Sequence, residues 1–384
     1  MTIVGSQKSR AISEILRQEI LSGKFDTVRK MPSDRMLMRR FAVARATVQA
    51  AMKDLLDKKL VDRKPGYGTF LSVGASRRAG ARLGLVVPQS DVDFYWRICR
   101  GVEDRAHACG WSVLAAPCNY GSLRERISRA AEFVGVCKRE HVAGLLVQPV
   151  QFLKDSESLN RKLFDLIRRN EIPAVLIDSD YLAFPERSDY DLVCSDGFGI
   201  GHRLARHVIG RGARRIIYLS SPMSAPTAFN RAIGIANAVL AAGLPWDEGS
   251  VVFGSPCDEA LMKRVFRRAK RPDAVICTGD SIAVELSSAL GKLGLRVPDD
   301  VMIAGVNGDP VGERADPKIT TAEQQCRQMG AAAVDLLVQR IGNPDLAPRT
   351  LMFNVGIIER ESTARRGRDC RNSGAKGKRK GRKR

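Results

Sequence analysis

Long apolar runs are missing from this sequence, and so are most of the residue clusters that carry chemistry. The most apolar stretch, Ala232 to Trp246, is interrupted by Asn237 and is too short to span a bilayer, which argues against a membrane protein. The first residues lack the apolar core of a signal peptide, so the chain is expected in the cytoplasm, and at the nucleoid if it binds DNA. Only four histidines are present; His202 and His207 are five apart, which does not align two ligands on one helical face, and His107 and His141 stand alone. No metal is expected. The nine cysteines are scattered, odd in number and without a CxxC pair, and read as free thiols of a reducing compartment. There is no GxSxG element and no arguable Cys–His pairing, so no catalytic residue and no cofactor is assigned. "GFGIG" at 197–201 lacks the spacing and acidic partner of a dinucleotide site and reads as the tight entry to a helix.

Negative charge is also short, but only in places. Lysine and arginine total 63 against 42 aspartates and glutamates, a net charge of +21. Residues 1–82 carry +11 and residues 365–384 carry +10, while 83–364 balance at 34 of each sign. Two basic ends around a neutral body fit a chain whose ends meet phosphate. The tail from 365 to 384 has no apolar periodicity and is expected to be disordered, able to hold DNA without sequence preference.

Ile12, Ile15, Leu16, Ile20 and Leu21 recur at steps of three and four, which predicts an amphipathic helix stopped by Gly23. Pro32 and Ser33 mark the start of a second helix, with Ser33 placed to cap it and Leu37, Met38 and Phe41 on its inner face. After a turn at Ala42–Val43, a third helix is predicted from about Arg45 to Asp57, burying Val48, Met52, Leu55 and Leu56. The period then changes to two around Pro65-Gly66-Tyr67-Gly68, a β-hairpin with a glycine-rich tip. Three helices and a basic hairpin make a winged helix-turn-helix.

The order "LxSGKF … MPSDRML … FAVARATVQAAMKDLLDKKLVDRKPGYGTFL" resembles the DNA-binding domain of the gluconate-repressor (GntR) family. That resemblance implies DNA contacts from Ser33, Arg35, Arg45, Thr47 and Gln49, and from the wing residues Lys64, Gly66, Tyr67 and Gly68. Arg45 and Thr47 would stand at the end of the recognition helix that reaches base edges, where arginine can bond guanine bidentately and threonine can touch a thymine methyl. Arg35 and the backbone near Gly66 would hold phosphate. The chain departs from the family at Ala44, where serine is usual, and at Gln49, where arginine is usual; glutamine favours adenine.

Beyond the Gly/Ala/Arg-rich linker at 74–82, strand and helix patterns alternate: "RLGLVVP", "SVLAAPC", "VAGLLVQP" and "PAVLIDS" with helices between them, then a second round beginning near "YDLVCSD". The fold class expected is α/β, parallel sheets flanked by helices in two lobes, preceded by the winged helix-turn-helix. Ligands of such sheets bind at the carboxyl ends of the strands. "GVEDRAHACGWSV", "IPAVLIDSD", "NRAIGIANAVLAAGL", "PDAVICTGDSIAVELSSALGKLGLRVPDDVMIAGVNGD" and "IIERES" resemble, in order, the effector domain of the lactose/galactose repressor (LacI/GalR) family, related to periplasmic sugar-binding proteins. By that resemblance Phe94 and Tyr95 form an aromatic wall, Asp178 and Asp280 accept hydroxyl hydrogen bonds, Arg231 holds a ring oxygen, hydroxyl or anionic group, and Asn307 closes the far side. Asp280 could instead cap a helix beginning at Ser281, and Asp178 could simply end a strand.

The organisation expected is a DNA-binding domain at 1–73, the linker, and an effector domain at 83–364, followed by the tail. Lobe one is expected from 83–178 and 308–340, lobe two from 179–307 and 341–364. This combination resembles arabinose-repressor-type regulators. It implies a homodimer on a double-stranded DNA operator, switched by a sugar or sugar derivative bound between the lobes, and no membrane partner. A sugar-binding transport component would have no use for the winged domain, and a sugar-acting enzyme would need a paired acid and base.

Overall fold

The computed structural model describes residues 3–21, 25, 30–58, 60–64, 66–72, 82–88, 92–116, 118, 120–151, 155–182, 185–221, 226–267 and 271–364. All of the linker but Arg82, and the whole basic tail, lie outside the described residues.

In the N-terminal domain the helical spacing produces α1 (Ile3–Leu21), α2 (Asp34–Phe41) and α3 (Arg45–Asp57), followed by an antiparallel hairpin of β1 (Val61–Lys64) and β2 (Gly68–Leu71). Leu16, Ile20, Leu37, Val48 and Leu55 are fully removed from solvent and form one small core with Ile12, Met52 and Leu71. Ile15, expected inside, is exposed instead, because α1 turns its Ile12–Leu16–Ile20 edge toward α3. The two turns of the helix-turn-helix are set by Ser33, whose hydroxyl accepts from the Met36 amide, and by Ala42, which takes a left-handed conformation at φ 51°.

Beyond the hairpin the chain forms two six-stranded sheets. The first has the order β13-β7-β6-β5-β3-β4 and is parallel throughout, comprising β3 (Arg82–Val86), β4 (Ser112–Ala115), β5 (Gly144–Val147), β6 (Ala174–Ile177), β7 (Asp191–Ser195) and β13 (Thr350–Phe353). The second has the order β14-β12-β11-β10-β8-β9. Its strands are β8 (Ile216–Ser220), β9 (Val251–Phe253), β10 (Ala274–Cys277), β11 (Met302–Asn307), β12 (Thr320–Glu323) and β14 (Gly356–Ile358), with β14 alone antiparallel.

The expected lobe boundaries need correction. The chain passes between two compact units after Ser195, Gln324 and Phe353, so 179–195 and 341–353 belong to lobe one and 308–324 to lobe two. The reason is pairing: β7 lies between β6 and β13 in the first sheet, while β12 pairs with β11 in the second. A fully buried carboxylate, Asp191, fixes the return of the chain into lobe one by accepting from Arg340 Nε (2.9 Å) and the Arg349 amide (2.8 Å). The end of "IIERES" plays the matching part in lobe two, where Ser362 Oγ donates to the Ile303 carbonyl (2.6 Å) and Thr363 bonds Thr320 and His207.

In lobe two, α7 (Gly197–Gly210) and α8 (Pro226–Ala241) cross at reciprocal glycines. A methyl group at Gly201 would collide with the Arg231 carbonyl oxygen, and one at Gly234 with the Phe198 carbonyl oxygen. "GFGIG" is therefore more than a helix entry; its last glycine is what lets α8 lie against α7.

Candidate functional site

Arg45 is the first residue of α3 and is exposed, as are Arg35 on α2 and Gln49 one turn further along; Thr47 is half-buried. Ala44 stands at the N-cap and offers no side-chain bond, so the first amides of α3 are left without the usual cap. On the hairpin, Gly66 (φ 78°) and Gly68 (φ 116°) adopt conformations that side chains rarely take, and they throw Tyr67 out to 74% exposure. Lys64 and Lys30 place their ammonium groups 5.5 and 5.6 Å from the Phe70 ring centre, giving the wing two cations on one aromatic support. Lys30 was not among the residues picked from sequence; its position before the second helix carries no motif. Arg40 and Lys58, by contrast, spend their charge inside the domain on Glu19 and Asp54.

Supplying the missing cap tests how far DNA-reading geometry depends on α3's first turn. Ala44→Ser is expected to stabilise that turn by about 1 kcal/mol, measured as slower hydrogen exchange at the Ala46 and Thr47 amides, the ones a serine hydroxyl at the N-cap can accept from. Unchanged exchange would mean that the α3 terminus is already satisfied by other means.

In lobe one, three polar groups converge from the carboxyl ends of neighbouring strands. Tyr95 lies in the first turn of α4 (Asp93–Ala108), which follows β3; Gln151 follows β5; Asp178, at φ 74°, follows β6. Tyr95 Oη donates toward Asp178 Oδ2 (3.1 Å) and Gln151 Oε1 (3.2 Å). Gln151 Nε2 lies 3.2 Å from the same carboxylate oxygen and 2.6 Å from Ser179 Oγ. Gln151, only 2% exposed, escaped the sequence reading because nothing marks it beyond its place after a strand. Phe94 sits edge-on to Tyr95, ring centres 4.9 Å apart, and both rings are packed in lobe one's core.

Lobe two repeats the pattern. Arg231 projects from α8, which follows β8; Thr278 and Gly279 follow β10; Asn307 ends β11 at φ 109°, a strained conformation of the kind found at binding sites. Arg231 is 8% exposed and donates from Nη1 to the Thr278 carbonyl (2.9 Å), close to the Tyr218 hydroxyl, whose pKa burial pushes up to about 12 while the guanidinium opposes the rise. Its Nε has no acceptor, and among the described residues no carboxylate forms an ion pair with it. Asn307 Nδ2 donates to Asp309 Oδ2 (3.0 Å), and its Oδ1 accepts from Gln324 (2.8 Å).

Asp280 differs from its expectation. The helix α10 (Asp280–Lys292) starts at Asp280 itself, with Gly279 as N-cap, and the first side chain turns inward. It is 0% exposed, lies against Gly305 of β11, and its Oδ2 accepts from the Asp309 amide (2.6 Å). Burial raises its pKa to about 7, the bonds from Thr321 and Asp309 notwithstanding. Asp280 thus holds the turn beneath Asn307 in place from inside lobe two.

Residues 8–71 match the family described as bacterial regulatory proteins, gntR family, and residues 205–363 match a periplasmic binding protein-like domain. One chain thus carries a match to a DNA-binding family near its start and a match to a periplasmic binding protein-like domain further on. Over 284 residues this regulator is 27% identical to the HTH-type transcriptional repressor PurR of Vibrio atlanticus (strain LGP32), covering 73% of this chain and 80% of that protein. PurR of Photorhabdus laumondii subsp. laumondii is 28% identical over 284 residues, 73% of this chain and 79% of that one. Among solved structures, a transcriptional regulator CelR–cellobiose complex matches with TM-score 0.63 at 24% identity, over 83% of this chain and 91% of the other. A putative transcriptional regulator of LacI family from Sanguibacter keddieii DSM 10542 matches with TM-score 0.58 at 26% identity, over 74% and 100%. The regulator is a DNA-binding transcription factor with a ligand-binding type of second domain. No described helix is long and apolar enough to cross a membrane.

Proposed function

We propose that the regulator represses carbohydrate-metabolism genes, binding a pseudo-palindromic operator as a homodimer and changing its DNA affinity when a small polyol-type effector occupies the strand ends. It acts as a switch and not as an enzyme. The observation that carries this reading is the pair of polar sets, Tyr95–Gln151–Asp178 and Arg231–Asn307, at strand carboxyl ends of a chain that also exposes Arg45 on a recognition helix. Carboxylate, amide and guanidinium groups orient hydroxyls. The relatives named as repressors, and a fold neighbour solved with cellobiose, support the same reading. The switch works by population shift: an effector that binds one conformation better than another moves the balance by that differential affinity alone.

Arg45 supplies the test. The full chain is used to enrich operator sequences from a random duplex pool, and the affinity of Arg45→Ala for the winner is compared at fixed salt. Loss of one bidentate base contact is expected to weaken binding roughly 10- to 100-fold, with a smaller loss on unrelated DNA. Equal affinity of the variant and the parent chain for the operator would remove Arg45 from base reading.

A further inference from the structure

A buried guanidinium without a carboxylate is expensive, because the charge has left water and found no counter-charge. Among the described residues Arg231 is in that condition: 8% exposed, donating to the Thr278 carbonyl and lying beside the Tyr218 hydroxyl, with no carboxylate paired to it. The carbonyl that it holds belongs to Thr278, which directly precedes the N-cap of α10. That N-cap is Gly279, with no side chain to satisfy the first amides of a 13-residue helix, and the nearest acid, Asp280, has turned away into the lobe. A Cβ at Gly279 would meet only Asn307 Nδ2, at 3.6 Å. Positive charge and donors therefore lie close together here: the guanidinium that holds Thr278, the uncapped start of α10 and the Asn307 carboxamide.

We propose that lobe two is an anion subsite, and that the effector is a hydroxyl-bearing small molecule with a carboxylate or phosphate group, held by the Arg231 guanidinium and the amides that open α10. This rests on the effector reading above and narrows its ligand class. Planar guanidinium edges pair bidentately with carboxylate and phosphate oxygens, and helix N-termini favour the same groups. Gly279 adds no side chain to the subsite, and Asn307 Nδ2 engages the neighbouring Asp309 carboxylate (3.0 Å), which takes up one of its two protons.

The test uses the full chain and Arg231→Met, which keeps the side chain's length without its charge. Without ligand, the variant is expected to unfold within a few degrees of the parent chain or above it, since an uncompensated charge has been removed. Sodium phosphate and sodium sulfate, compared with sodium chloride at equal ionic strength, are expected to raise the parent's melting temperature more than the variant's. Matched sets follow: glucose, gluconate and glucose 6-phosphate; galactose, galacturonate and galactose 1-phosphate; ribose, ribonate and ribose 5-phosphate. An acid or phosphate member is expected to bind at least about 10-fold more tightly than its neutral parent, and to lose that advantage in Arg231→Met, as for a lost charge-assisted bond. Acid and phosphate arms separate the two sources of the anion.

A large drop in melting temperature of ligand-free Arg231→Met would make the arginine structural and overturn the proposal. So would equal responses of the two proteins to phosphate and sulfate, or a neutral sugar that binds best. In that last case, operator affinity that still responds to the neutral sugar leaves the regulator reading standing. If the anions bind through Arg231 but operator affinity ignores them, the subsite stands and the switch reading falls.

Discussion

Gly201→Val is expected to destabilise lobe two by roughly 3 kcal/mol or more, at or beyond the upper end of overpacking costs, and to abolish the response to effector. Position 201 faces backbone, the carbonyl of Arg231, so no flexible side chain can swing aside to make room. Relief requires α8 to move away from α7, and Arg231 rides on α8. Stability and ligand binding should therefore fail together. Gly210, at the end of the same helix, has nothing within 4 Å of an added methyl, and Gly210→Ala should be neutral or stabilise by up to ~1 kcal/mol. Urea denaturation of both variants gives the comparison; parent-like stability of Gly201→Val would show that the two helices are not in the close contact described.

Asp280→Asn carries the second large effect, and its sign depends on pH. The Asp280 carboxyl titrates at about 7 when folded, above the ~4 of an unfolded aspartate. The folded state then holds a proton that the unfolded state has released over that window, so stability from this group is complete below pH ~4 and falls as pH rises toward 7. Above 7 the ionised carboxylate is buried against Gly305, with Asp309 opposing its charge and Arg360 favouring it. Asparagine keeps the shape and can still accept the Asp309 amide. The variant is expected to lose the decline between about pH 4 and 7 and to be more stable at pH 8 by a few kcal/mol. Parallel stability curves for the two proteins from pH 5 to 8 would contradict the buried, proton-holding carboxyl.

Local elements were readable from residue spacing, whereas their assembly was not. Helix α3 runs from Arg45 to Asp57 as its spacing predicts, and the hairpin follows its glycines. Which sheet a strand joins is decided by partners far away: β7 looks like the first strand of a new lobe until Asp191 meets Arg340 and Arg349, about 150 residues on. Asp280 and Asp178 look alike in sequence, each following an apolar strand; Gly305, on another strand, decides that the first turns inward. Arg231 stands out in the sequence because little structural need explains it, and among the described residues it is a buried guanidinium with no carboxylate paired to it. Gln151 and Lys30 left no trace beyond residue type, since their roles come from neighbours brought by other elements.

The central claim is that effector and operator are coupled through one chain. Its most direct test is the operator affinity of the full-length regulator, by fluorescence anisotropy at fixed salt, with and without a saturating amount of whichever panel compound stabilises the protein most. A change of about 5- to 150-fold, the span of ordinary allosteric couplings, is the expected result, lost in Gly201→Val. Equal affinities with the compound demonstrably bound would contradict the account.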